Sequence, residues 1–476
     1  MKIIPKPLKI EFNNRFSDNT DLKLSKSVDD NLAEEEYVLK INDGGIIISG
    51  GSEKALFYAE KTLEQIKAQY SSLPICKICD KPKYAYRSFM IDCARHMFDI
   101  AELKKIINAM SLLKYNKFHW HLTDDQGWRF ESEVYDKLNS VSAVRPFSNF
   151  GKKRDMSPYG RVYTKAEMKE IVDYCAERYI DVIPEFDIPG HSSALLSAYP
   201  EITCIGMPVD IKTRQGIYKD VICPAKDKTY EIITRIFDEF CGIFPYNYYH
   251  IGGDETPHNH WQTCPDCKKL MQKHGITDYA DYHNFFMNRI IEYLFEKGKT
   301  CIVWNDVLKG KDLDKRAAVQ YWTGNMKASL TYANNGGKLI LSPFSYYYLD
   351  YEYDITPMNH TYHFNTELKG LIQSGKNNIL GVETPIWTEY IEDNNRLEEM
   401  MFPRVLAVAE TGWSGNSKDY KDFLERIEPV EKMLKSNGIR FMEKRRWNYS
   451  RLAMPKGWLK FVFTNYTFDY VKSMLK

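Results

Sequence analysis

The sequence contains no apolar run approaching the roughly 20 residues of a membrane-crossing helix, so no transmembrane anchor is expected. Its opening, MKIIPKPLKI, lacks the uninterrupted apolar stretch of a secretory leader, because Pro5 and Pro7 break it. A dominant charge is missing as well. The chain carries 65 Lys and Arg against 64 Asp and Glu, so no long-range field draws in nucleic acid or an anionic membrane. These absences point to a soluble chain, expected in the cytoplasm, with a neutral partner. Zinc-ribbon spacing is also lacking. Ten scattered cysteines read as reduced thiols, and the two CxxC pairs, Cys76 with Cys79 and Cys264 with Cys267, lie far outside that spacing. The first pair sits in PICKIC, which alternates like a strand. No metal is expected at either pair, and CPDC is the better candidate of the two.

What the chain does have is length and rings. Its 476 residues are too many for one ordinary core and fit a large α/β barrel plus a smaller unit. Aromatics reach 14 %, with 33 Tyr and 9 Trp, a supply of flat apolar platforms with polar edges. Residues 1–82 show short alternating strands, YVLKI and GIIIS, then the helix-like SEKALFYAEKTLEQIKAQY. This reads as a small α+β accessory domain. From Tyr84 onward, eight short apolar strands alternate with amphipathic helices: SFMIDC, KFHWHL, DVIPEF, NYYHIG, CIVWND, AVQYW, KLILSP and ILGVET. Two helix starts are explicit, a capping box at Thr164 and Glu167 and a cap at Asp99. Residues 83–476 are therefore expected to form a (β/α)8 TIM barrel with C-terminal helices, an α/β fold.

In such a barrel the site lies where strands end in loops. Nearly every strand here ends in something polar or aromatic: Asp92 and Arg95, Asp124 and Asp125, then Glu185, Asp187 and His191. Asp254 and Glu255, Trp304, Trp322, Tyr348 and Asp350, and Trp387 and Glu389 follow. The acidic doublet closes NYYHIGGDE. Adjacent residues of a strand point to opposite faces, so both carboxylates reach one pocket only if Gly252 and Gly253 break the strand. Even then, neighbours cannot flank a sugar ring as the usual glycosidase pair does, about 5 Å apart for retention or roughly 6.5 to 9.5 Å for inversion. One carboxyl must be an acid and the other an auxiliary. Two like charges in an aromatic pocket should also push one pKa upward, which suits a proton donor. The blander alternative has Asp254 capping the next helix and Glu255 facing solvent.

HIGGDE, together with YNKFHWHLTDDQGWR, PEFDIPGHS, WND and FPRVLAVAETGWS, resembles glycoside hydrolase family 20, the β-N-acetylhexosaminidases, over roughly residues 73–413. The resemblance implies Glu255 as general acid and Asp254 as the group that orients the substrate's 2-acetamido arm. The acetamido oxygen is then the nucleophile and an oxazolinium the intermediate, an exception to the two-carboxylate scheme. It further implies Arg95 and Glu389 on the 3- and 4-hydroxyls, Tyr348 on the acetamido carbonyl and Asp350 on the 6-hydroxyl end. Trp304, Trp322 and Trp387 are implied as walls and floor, with Asp124 and His191 behind the acid. No cofactor and no metal is implied there, and the partner is a carbohydrate with a terminal N-acetylhexosamine.

Other readings stay open at this point. HWH places His119 and His121 on one strand face, as metal-dependent amidohydrolase barrels do, but the fifth and sixth strands end in Trp where that chemistry needs His. A lacto-N-biosidase shares the same motifs, and a barrel that only binds sugar would be expected to have lost its acid.

Overall fold

The computed structural model describes residues 1–465 apart from 20, 152, 325, 417, 418, 451 and 452. The N-terminal region is a five-stranded sheet of β1 (Lys9–Phe16), β2 (Leu24–Val28), β3 (Tyr37–Asn42), β4 (Gly45–Gly50) and β5 (Pro74–Asp80), in the order β1-β5-β3-β4-β2. All its pairings are antiparallel except β2 with β4. One helix, Glu53–Lys67, covers it; Ser52 caps that helix by accepting from the Ala55 N–H. Alternation along β3 and β5 sends Tyr37, Leu39, Ile41, Cys76 and Ile78 to the covered face, where they meet Ala55, Tyr58, Ala59 and Leu63. Cys76 and Cys79, three residues apart on a strand, fall on opposite faces, so that pair cannot hold one ion.

The eight strands read from the sequence close a parallel barrel. They are β6 (Tyr86–Asp92), β7 (Lys117–His121), β10 (Asp181–Glu185), β11 (Tyr248–His250), β12 (Thr300–Trp304), β13 (Ala318–Tyr321), β14 (Lys338–Leu341) and β15 (Ile379–Ile386), with β15 pairing back onto β6. A ribbon of two two-residue strands, β8 (Thr123–Asp124) and β9 (Gly127–Trp128), follows β7. Both helix starts hold: Asp99 accepts from Glu102 N–H, and Thr164 with Glu167 makes the full capping box. The outer apolar layer packs strand on helix through Phe89, Ile91, Phe118, Ile106, Ile107, Ile171 and Ile236.

The barrel interior is unusually polar. Glu185, Glu383, His119, His250 and Gln320 are all buried inside it, joined by His119 to Glu185 at 3.0 Å and to Glu383 at 2.8 Å. Burial alone would hold His119 neutral, but the two carboxylates outweigh it and raise its pKa to about 9. The sheet and barrel meet over a buried ion pair, Lys114 with Asp80 at 3.1 Å, beneath Trp413. Among the described residues, no helix is long and apolar enough to cross a membrane.

Candidate active site

The pocket opens at the C-terminal ends of the barrel strands and is lined by Arg95, Asp124, His191, Asp254, Glu255, Trp322, Tyr348, Asp350, Trp387 and Glu389. These are ten of the eleven residues that the sequence nominates. The strand break before the doublet is real: Gly252 and Gly253 have φ of +68° and +96°, and Glu255 itself sits at +42°. This turns two neighbouring carboxyls toward one imidazole nitrogen. His191 Nε2 lies 3.8 Å from Asp254 and 3.6 Å from Glu255. Asp254 is buried and caps nothing; the next helix, Asn259–Thr263, begins after His258 with no side-chain cap.

The upward pKa shift falls on Asp254, which the resemblance makes the auxiliary of the pair, whereas the expectation is a raised proton donor. Burial pushes it up to about 7, against the pull of His191 and with the charge of Glu255 adding. Beneath it lies Asp187, at a strand end but outside the residues that the resemblance implies for the site. Asp187 Oδ1 accepts from the Gly253 N–H at 3.3 Å, and burial together with Asp254 raises its pKa well above the ordinary range. Asp187 thus braces the turn that carries Asp254. A Cβ on Gly252 would sit 1.6 Å from Asp187 Oδ1, so the glycine is required by contact as well as by φ.

Asp124 anchors the opposite side. It pairs with Arg95 at 2.7 Å, and accepts from His121 Nε2 at 2.9 Å and His191 Nδ1 at 3.1 Å. Burial would raise its pKa, but the Arg95 guanidinium and His191 outweigh that and hold it well below the carboxylate range. His191, flanked by Asp124 and Asp254, is correspondingly held protonated in spite of its burial. Behind them Glu185 accepts from Trp304 Nε1 at 3.0 Å and from His121, and contacts His250 Nδ1 at 2.8 Å. His119 and His121 therefore spend their nitrogens on carboxylates of this network, which leaves the amidohydrolase-like arrangement of HWH without free ligand atoms.

Two expectations need adjusting. Arg95 sits 4.0 Å from Glu389, at the limit of an ion pair, while Asp124 and Asp92 (3.3 Å) are nearer and Gln126 accepts from its Nε at 2.8 Å. Glu389 thus makes only a long contact with Arg95 and faces the pocket. Trp304 does not line the pocket: it is fully buried, its N–H given to Glu185, and its ring lies 5.9 Å from that of Trp387. It backs the floor that Trp387 presents. The visible wall is Trp322 stacked on Tyr348, centroids 6.0 Å apart and 14° between planes, with Trp322 Nε1 fixed by Asp306 at 2.8 Å. Asp350 is raised to about 8 by burial and by Glu389. Gln215, Gly216, Ile217 and Phe461 also line the rim; their own stretches of sequence carry no motif.

Three groups of candidate metal ligands come together among the described residues: His119, Glu185 and His250; Asp124, Asp187 and His191; and Cys204, Cys223, Cys264 and Cys267. The first two belong to the hydrogen-bonded network just described.

A carboxylic acid doublet set against indole and phenol faces suits cleavage of a glycosidic bond, where the rings hold the sugar's C–H face and an acid protonates the leaving oxygen. In a barrel mouth this defines a glycoside hydrolase. Residues 84–416 match the sequence model "Glycosyl hydrolase family 20, catalytic domain", and residues 5–81 match "Glycosyl hydrolase family 20, domain 2". The chain belongs to glycosyl hydrolase family 20. It is 34 % identical over 435 residues to a β-hexosaminidase of Porphyromonas gingivalis, covering 86 % of this chain but only 55 % of that protein. A β-hexosaminidase of Akkermansia muciniphila is also 34 % identical, over 87 % of this chain and 86 % of its own. Among solved structures, a β-N-acetylhexosaminidase superposes with a TM-score of 0.86 at 30 % identity, over 94 % of this chain and 99 % of that one. An exo-β-N-acetylglucosaminidase of Vibrio harveyi, in complex with N-acetylglucosamine, superposes with 0.82 at 27 % identity, over 94 % and 79 %.

Proposed function

We propose that the chain is a retaining, exo-acting β-N-acetylhexosaminidase that removes terminal β-linked N-acetylglucosamine, and N-acetylgalactosamine where the 4-hydroxyl is tolerated, by substrate-assisted catalysis. The observation that carries this is the convergence of two adjacent carboxyls on one His191 nitrogen. Sequence neighbours on one side of a pocket cannot be the two opposed carboxyls of a double displacement. In keeping with membership of family 20, whose substrate-assisted members are exceptions to the two-carboxylate scheme, the nucleophile then comes from the sugar. In the first step the Glu255 carboxyl donates its proton to the glycosidic oxygen, the C1–O bond breaks, and the acetamido oxygen closes on C1. Asp254 accepts the acetamido N–H and offsets the positive charge of the oxazolinium. In the second step Glu255, now a carboxylate, takes a proton from a water whose oxygen attacks C1 while the C1–O bond of the oxazolinium breaks and the acetamido group is restored, so the anomeric configuration is kept.

The remaining residues hold the ring. Arg95 and Glu389 take the 3- and 4-hydroxyls, Asp350 the 6-hydroxyl end, Tyr348 the acetamido carbonyl, while Trp322 and Trp387 enclose the methyl group and floor the ring with Trp304 behind. His191 and Asp124 orient the doublet. Residues 1–82 act as the accessory domain and 83–476 as the catalytic one, a division in keeping with the two matched family segments. The partner is a carbohydrate ending in N-acetylhexosamine; the site uses no metal.

The test is chemical. A thiazoline mimic of the oxazoline should inhibit competitively, and aryl β-glucosides with a plain 2-hydroxyl should be almost inert. Quenched turnover that leaves a glycosyl ester on Asp254 or any other carboxylate would overturn the scheme.

A further inference from the structure

We propose that Cys204, Cys223, Cys264 and Cys267 bind a structural zinc ion that ties together the two loops flanking the acid doublet. All four sulfurs lie within 4.8 Å of one another. Two of the separations are 3.8 Å (Cys204 to Cys267) and 3.5 Å (Cys223 to Cys267). A tetrahedral zinc with Zn–S bonds of about 2.3 Å requires sulfurs roughly 3.8 Å apart, whereas a disulfide requires about 2.05 Å. All four are free thiols in this geometry. Sulfurs this close leave no room for a multi-iron cluster between them, so the geometry is that of one mononuclear ion.

The surroundings are those of a ligand set. Cys264 and Cys267 form a CxxC at the start of the helix Pro265–Lys273, with Cys264 as N-cap and Pro265 at the first position. There the partial positive charge of the helix end favours thiolate over thiol. Cys204 and Cys223 are far apart in sequence, but the bridge between Thr203 and Ile222 sets them side by side, and Cys223 N–H donates to Ile202 at 2.9 Å. That bridge replaces the second short spacing that a zinc ribbon would show, which is why the sequence pattern hides the site. Trp261, Val221, Met271 and Tyr282 enclose the sulfurs. The buried Tyr282 hydroxyl lies against Cys267 and stands as a hydrogen-bond donor to its sulfur, a donor suited to a metal-bound thiolate.

The placement gives the ion a role. Residues 204–223 are an excursion from the loop after β10; its base is the cysteine pair and its tip, Gln215 to Ile217, lines the sugar pocket. The other two ligands follow Asp254 and Glu255 on the loop after β11. Trp261 Nε1 donates to Ile222 O at 2.9 Å and Lys226 pairs with Asp266 at 2.6 Å, so the two loops already meet here. A zinc bound by two ligands from each cross-links the rim of the pocket to the segment that carries the acid.

The experiment uses the full chain purified without chelator and with reductant, then incubated with zinc chloride and desalted. Mass spectrometry for metals should find one zinc per chain, and cobalt in its place should give thiolate charge-transfer and strong tetrahedral d–d bands. A mercurial thiol reagent should release that zinc in the intact enzyme. Cys223→Ser and Cys267→Ser should each lose zinc and melt at lower temperature than the zinc-loaded parent; the cobalt spectrum and mercurial release decide the matter even if these variants fail to fold. Reduced protein that takes up neither metal, disulfides among these four cysteines in the native chain, iron in place of zinc, or unchanged zinc in both variants would overturn the proposal.

Discussion

At the scale of single residues, the site depends on a backbone feature before it depends on any acid. Gly252 has φ +68° and no room for a Cβ, the nearest atom being Asp187 Oδ1 at 1.6 Å. Gly252→Ala is expected to displace Asp187, shift the doublet by a large fraction of an ångström and lower kcat/KM by about 100-fold or more. Gly275 is the control: its φ is +66° with nothing within 4 Å. Gly275→Ala should cost only backbone strain, about 1 kcal/mol, with kcat/KM unchanged. The second prediction concerns protonation. In the proposed scheme Asp254 must be ionised to offset the oxazolinium, and burial has raised it to about 7. Activity therefore rises as pH rises through that value, and kcat/KM, which reports the free enzyme, should show an acidic limb near pH 7. In Asp254→Asn the level falls strongly in kcat and little in KM, and that limb disappears. A limb that survives in the variant would assign it to another group.

At the scale of elements, the barrel converges its strand ends on Arg95. Asp92 at the end of β6 accepts from the Arg95 and Thr388 N–H groups at 3.1 and 3.0 Å, Asp124 in β8 holds the guanidinium, and Trp387 after β15 lies under it at 5.1 Å. Three strands thus fix one side chain, so that in the proposed scheme it meets a sugar hydroxyl with little reorganisation. Arg95→Ala should lose about 3 kcal/mol or more of transition-state binding, a factor of order 100 in kcat/KM; a variant within a few-fold of the parent would remove Arg95 from the sugar's edge. The elements that were legible in the sequence are those with local signatures. All eight barrel strands show as short apolar runs, and Thr164 with Glu167 announces its helix by chemistry confined to four residues. What was not legible depends on contacts between distant segments. Nothing near Cys204 predicts Cys267, nothing near Phe461 predicts a place at the rim, and the burial of Trp304 follows from Glu185 taking its N–H. Asp187 lies within PEFDIPGHS, yet its support of Asp254 depends on the turn at Gly252.

At the scale of the molecule, the sheet and the barrel share one buried polar contact whose removal tests whether they are one cooperative unit. Lys114 and Asp80 are both fully buried, 3.1 Å apart. Asp80 also accepts from Tyr37 OH at 2.7 Å and from Trp413 Nε1 at 3.0 Å, so one carboxylate gathers donors from both units. Trp413 belongs to the helix Arg404–Ser414 that packs on β15 and β6, yet its side chain enters the core of the sheet. Lys114 precedes β7, at the end of the barrel opposite the pocket. Lys114→Met leaves the buried Asp80 without its cationic partner, with only the Tyr37 and Trp413 donors, which costs about 3 to 5 kcal/mol, whereas replacing both charges removes that penalty. Thermal melts of Lys114→Met, Asp80→Asn and the double variant should therefore show the double variant less destabilised than the sum of the singles. Because the pair lies away from the chemistry, kcat at 25 °C should stay within a factor of two or so for every variant that remains folded, as expected of sites too distant to couple. The melt should remain a single transition in the parent, since Trp413 cannot leave the sheet's core without exposing both units. A parent that melts in two steps, or a double variant as unstable as the sum, would show that the contact is incidental and the two units fold independently.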